Sequence, residues 1–169
     1  MHYNYRVDNA TLSVGMGGIM CKSCFLFGHA DTPQSALPAI ENAIEKHYSI
    51  YGIKHFYVGN RGNFDNLAAK AIRNIKQQHS DVRLFLLLAY HPAEREPDLW
   101  GGYDNSYYPS IEGTPRPYAI VKANQYMVDT ADSIICFVRH FGNTRNLLEY
   151  AQKRQKKDGV IIENVAQNL

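Results

Sequence analysis

Five short runs rich in aliphatic and aromatic residues punctuate this chain, at Cys24–Phe27, Ile53–Val58, Val82–Tyr90, Ser133–Val138 and Val160–Ile162, and a stretch with helical period lies between each and the next. That alternation is the signature of successive βαβ units and a parallel sheet. Within the third run Leu84-Phe85-Leu86-Leu87-Leu88 is continuously apolar, as a strand covered on both faces requires. The intervening stretches carry apolar stripes. Leu37, Ile40, Ile44 and Tyr48 form one, starting near Thr32-Pro33, where Thr suits the N-cap and Pro the first helical position. Phe64, Leu67, Ala68, Ala71, Ile72 and Ile75 form the clearest. Ile120, Ala123, Met127, Val128 and Ala131 make a third, and a last helix runs from about Thr144 to Asp158. The expected fold is α/β: a Rossmann-like three-layer α/β/α sandwich with a mostly parallel sheet of about five strands.

With 169 residues the chain has the size of one domain able to bury a core without disulfides. That domain is expected to occupy residues 21–169. Residues 1–20, ending in Gly15-Met16-Gly17-Gly18, read as a leader or arm. Residues 91–118 hold five prolines and several aromatics and read as a long insertion loop, a length that in compact domains usually signals function or disorder. Three cysteines, Cys21, Cys24 and Cys136, are too few for a disulfide scaffold and fit a reducing compartment. Cys21-x-x-Cys24 has no downstream ligand pair to complete a metal site, so it reads as the opening of a buried strand. No apolar run approaches the about 20 residues of a membrane helix. A cytoplasmic protein that avoids membranes is expected.

Right-handed crossovers place the first strand centrally with the fourth beside it, and ligands of such sheets bind where the strand order reverses, beyond the carboxyl ends of the strands. Three segments should meet there: Gly28-His29, Gly59 to Asn63, and Phe141 to Thr144. Glycine-bearing entries to helices offer backbone N–H groups to an anion. Asp65, in the first turn of its helix, suits a ribose diol or the helix dipole. His29 and Glu149 are the other candidate acid–base groups. The dinucleotide fingerprint and the Walker loop are both absent, and no metal or cofactor is implied. In the long loop, Trp100, Tyr103, Tyr107, Tyr108 and Tyr118 offer surface for stacking, a lid or a subunit contact.

Four segments together, Phe27-Gly28-His29, Phe56-Tyr57-Val58-Gly59-Asn60-x-Gly62-Asn63-Phe64-Asp65, Ile120-Val121-Lys122-x-Asn124-x-x-Met127-Val128-Asp129-x-x-Asp132 and Gly142-x-Thr144-x-x-x-x-Glu149-Tyr150-Ala151, resemble a bacterial group within the SLOG superfamily of Rossmann-like proteins. The superfamily takes its name from the DNA processing protein A group and the Lonely Guy phosphoribohydrolases. The resemblance, in order over about residues 21 to 165, implies a nucleotide pocket, often within a dimer. Two departures stand out. Ala30 replaces the arginine of the group's Gly-His-Arg, and Glu149 lies five residues beyond Thr144 where Lonely Guy enzymes place a glutamate three beyond their threonine. Both remove groups that would contact phosphate or assist glycosidic cleavage.

The leading expectation is therefore a protein that binds a nucleotide or nucleotide-derived small molecule, as a sensor or as an N-glycosidic or phosphate hydrolase. Gly28, His29, Gly59, Asn60, Gly62, Asn63, Asp65, Asn124, Gly142, Asn143 and Thr144 would contact the ligand. Asp65, Glu149 and His29 would be the catalytic candidates. Two alternatives stand beside it: a single-stranded DNA-binding protein, against which the net charge of only +2 weighs, and a non-catalytic scaffold whose pocket has decayed.

Overall fold

The computed structural model describes residues 21–169; the leader expected over residues 1–20 lies outside them. Strand β1 (Lys22–Gly28) leads through a 3-10 turn at Gln34–Ala36 into α1 (Leu37–Tyr51), and β2 (Ile53–Val58) into α2 (Asn63–Lys76). Next come β3 (Arg83–Leu87), the short β4 (Asn105–Tyr107), α3 (Ala119–Thr130), β5 (Ser133–Phe137), α4 (Asn143–Asp158) and β6 (Ile161–Asn164). The sheet order is β4-β3-β2-β1-β5-β6, and every pairing is parallel. Phe25 of β1 stands opposite Tyr57 of β2 and Ile134 of β5, so the order reverses at β1, as the crossover argument requires.

Alternation along β1 divides the core in two. Cys24 and Leu26 join Ile40, Ile44, Phe64, Leu67 and Ile72 of α1 and α2, whereas Phe25 and Phe27 join Met127, Val128, Leu148 and Ala151 of α3 and α4. Two helices thus cover each face, which is the expected three-layer arrangement. The stripe read in α2 is buried at all six positions. Burying such side chains contributes roughly 1.5–3 kcal/mol each for the larger ones. Gly52 ends α1 in the left-handed region, at φ 71°, where a side chain would be strained.

The α/β sandwich is as expected, with six strands, all parallel, and three local expectations need correction. The extra strand, β4, lies inside the segment read as loop. It is three residues long and half-buried, too short to show a period, and it exists only through pairing with β3. The first helix begins at Leu37 and not near Thr32. Thr32 is buried, and its hydroxyl donates to the His29 carbonyl at 2.7 Å, closing the turn after β1 instead of capping a helix. The final strand runs to Asn164, whose side-chain amide exchanges hydrogen bonds with the backbone of Val138 (3.0 and 2.9 Å). Among the described residues no helix is long and apolar enough to cross a membrane.

Candidate functional site

Beyond the carboxyl ends of β1, β2 and β3, a cleft of about 750 Å³ opens between the start of α2 and the facing sides of α3 and α4. That volume suits a ligand of nucleotide size. Its floor is Phe25, Phe27 and Leu87, and its apolar wall includes Ile120, Val121 and Leu147. Asn124, Gln125, Asn143, Thr144 and Asn146 add carboxamide and hydroxyl groups, which both donate and accept. Two cations, Arg61 and Lys153, and two carboxyls, Asp65 and Glu149, complete the lining.

Of the residues singled out in the sequence, Gly28, Gly59, Gly62, Asp65, Asn124, Asn143, Thr144 and Glu149 line this one cleft. His29, Asn60, Asn63 and Gly142 do not. The glycines have steric reasons of their own. A Cβ on Gly28 would lie 2.4 Å from the Phe64 ring, and one on Gly62 would lie 2.6 Å from the Ala30 Cα. The start of α2 is therefore docked against the end of β1, and the Asn63 amide donates to the Ala30 carbonyl at 3.0 Å. One first-turn amide of α2 is thus already used.

The start of α4 differs. Its N-cap is Gly142, which has no side chain to offer, so the amides of Asn143, Thr144 and Arg145 have no intrahelical partner and no N-cap side chain. They point out of the helix end with the positive pole of its dipole. Thr144 and Asn143 line the cleft at that end.

Asp65 makes a helix-start contact and also faces the cleft. Its Oδ2 accepts from the Arg61 amide at 2.8 Å, a helix-start bond, while the carboxyl also lines the cleft. Burial pushes its pKa up to about 6, against the opposing pull of the Arg61 amide and guanidinium. Glu149 is exposed and pairs with Arg145 one turn before it, at 3.5 Å.

The His29 ring is turned away from the cleft. It is 4% exposed, and its Nε2 accepts from the amides of Arg139 and His140 at 3.0 and 3.3 Å, joining the end of β1 to the end of β5. Its pKa is lowered by burial first and by His140 second, which favours the neutral ring with its proton on Nδ1. The His140 ring stacks on it at 3.7 Å and 11°, while His140 Nε2 lies 3.2 Å from Asp31. Hydrogen bonds to the Phe141 carbonyl and to Asp31 raise the His140 pKa. His29, Asp31 and His140 bring donor atoms within 4.8 Å of one another. Stacked parallel rings aim their in-plane lone pairs side by side instead of at a common point, however, and the unprotonated nitrogen of His29 is already committed to two amides. The trio is an electrostatic clamp on the β5–α4 turn rather than a formed metal centre.

Arg61, Gln125, Asn146 and Lys153 also line the cleft, beyond the residues singled out from the sequence. Lys153 opens the basic run Lys153–Lys157 in the C-terminal half of α4, where cations complement the helix dipole. The available signal was the period of α4, in which Asn143, Asn146, Leu147, Tyr150 and Lys153 fall on one face.

No protein-family model and no curated protein matches the sequence. Among solved structures, the chain is similar to the Moco carrier protein of Chlamydomonas rheinhardtii, with 13% identity, 87% of this chain and 92% of that chain covered, and a TM-score of 0.47.

Proposed function

We propose that the cleft binds a nucleotide or nucleotide-derived small molecule, in the manner of the SLOG proteins this chain resembles. The observation that carries the reading is the uncapped start of α4, whose Asn143 and Thr144 line the same cleft as Arg61 and a set of apolar and carboxamide side chains. A phosphate at the α4 amides gains their hydrogen bonds and the helix dipole. The carboxamides of Asn124, Gln125 and Asn146 suit the mixed donor–acceptor edge of a base, and Phe25, Phe27 and Leu87 suit its faces. Single-stranded DNA fits less well, because the cations Arg61 and Lys153 are matched by the carboxyls of Asp65 and Glu149.

Asp65 adds the chemistry of turnover. A carboxyl that titrates near neutrality is suited to give a proton to a leaving group or take one from water. Hydrolysis of an N-glycosidic or phosphate bond, with Asp65 as its acid–base group, is the reaction this site is equipped to perform.

A thermal-shift screen of nucleoside monophosphates, cyclic nucleotides, NAD and ADP-ribose tests the binding. A ligand at a hundred times its Kd adds about 2.7 kcal/mol, a rise in Tm of roughly 5 °C or more for a chain of this size. Ligand-free, folded protein that none of these compounds stabilises contradicts the proposal.

A further inference from the structure

The cleft does not end at β3. A second cavity of about 420 Å³ lies under the segment between β3 and α3, and Ala89 lines both spaces. Tyr90 stands at their junction. The guanidinium carbon of Arg61, from the main cleft, lies 5.7 Å from the centre of its ring, and that of Arg116, from the second cavity, lies 4.9 Å away. Stacking occupies the flat face of a guanidinium and leaves its edge N–H donors free for the bidentate contacts that phosphates accept. Two cations gathered around one ring create a positive field that a dianionic bridge would neutralise.

Arg116 is lightly held. Its ion pair with Glu94 spans 3.7 Å between two exposed side chains, an arrangement that contributes little. The far walls have a different character. Glu94 and Glu112 supply carboxylates, and Tyr108 and Thr114 supply hydroxyls, so they suit the hydroxyl groups of a sugar and disfavour a further phosphate.

We propose that the two cavities together accept one nucleoside diphosphate sugar, with the nucleoside in the main cleft, the pyrophosphate spanning Arg61 and Arg116 across Tyr90 in place of the α4 contact that a monophosphate makes, and the sugar in the second cavity. This rests on the nucleotide reading of the main cleft and extends it to a ligand class.

Isothermal titration of the full chain with two matched pairs, AMP with ADP-ribose and UMP with UDP-glucose, and with inorganic pyrophosphate, tests it. At least one diphosphate sugar is expected to bind tenfold or more tightly than its monophosphate. Arg116→Ala, at a side chain 74% exposed and so harmless to folding, is expected to abolish that advantage and leave monophosphate affinity unchanged. Equal affinities within both pairs, or an Arg116→Ala loss shared equally by monophosphate and diphosphate sugar, overturns the proposal. Should no nucleotide bind, the reading of the main cleft fails, and pyrophosphate decides the bridge: binding that Arg116→Ala removes upholds it, and no binding removes it too.

Discussion

The carboxyl of Asp65 sits where a Cβ on Gly59 would come within 2.9 Å of it, partly buried at the cleft and holding the Arg61 amide. Because its folded pKa lies above the ordinary 3.8, at about 6, its contribution to stability is full below pH 3.8 and is lost as pH rises through about 6. Relative to Asp65→Asn, the wild type should therefore lose roughly 1–3 kcal/mol between about pH 4 and pH 6, as read by denaturant titration at several pH values. A difference that does not change with pH would show the carboxyl to be solvated. His29 makes the opposite kind of contribution, since its neutral ring satisfies two backbone amides. His29→Ala should cost about 1–3 kcal/mol by orphaning them, a fall in Tm of roughly 5 °C in a thermal melt. The position of His29 at the end of β1 was legible from the Gly28-His29 turn. The direction of its ring was not, because its partners lie 110 and 111 residues away and are backbone groups with no residue-type signature.

Among the elements, α2 shows most clearly how packing and site are linked. Gly62 has an extended backbone, at φ −174°, which any residue adopts, so its small size and not its flexibility is what the site needs. Gly62→Ala sets a methyl against the Ala30 backbone, which cannot yield as a side chain would. The helix start should shift, costing about 1–3 kcal/mol and weakening ligand affinity in the same titration. A variant of unchanged stability and affinity would show the contact to be loose. At the sheet edge, Asp104 Oδ2 accepts from the Leu84 amide at 2.7 Å and from Lys76 Nζ at 2.6 Å, which anchors the approach to β4. Asp104→Ala should release β4 and speed hydrogen exchange at Leu86 and Leu88 by tenfold or more, with α1 and β5 unaffected. Helices and central strands were legible because their apolar periods are long. β4 and the 3-10 entry to α1 were hidden, since a three-residue strand has no period and Thr32 serves equally well as a helix cap or a turn closer.

At the scale of the whole molecule, the strand reversal at β1 gathers segments far apart in sequence into one cleft. Glycine turns and the βα alternation were enough to indicate where that cleft would lie. They did not indicate that α2 uses part of its helix start to dock on Ala30, leaving α4 with the more open helix start, nor that Arg61 would line the cleft with Ala30. Such facts depend on distances of a few ångströms between elements, and no periodicity encodes them. The nucleotide reading stands or falls on whether a nucleoside monophosphate sets its phosphate against the first turn of α4. The most direct measurement is a titration of 15N-labelled protein with the best-stabilising nucleoside monophosphate of the thermal screen, followed by amide resonances. Large, saturable shifts are expected at Asn143, Thr144 and Arg145, with smaller ones at Arg61 and Gly62. Saturable shifts confined to other surfaces, with the α4 amides unmoved, would contradict it.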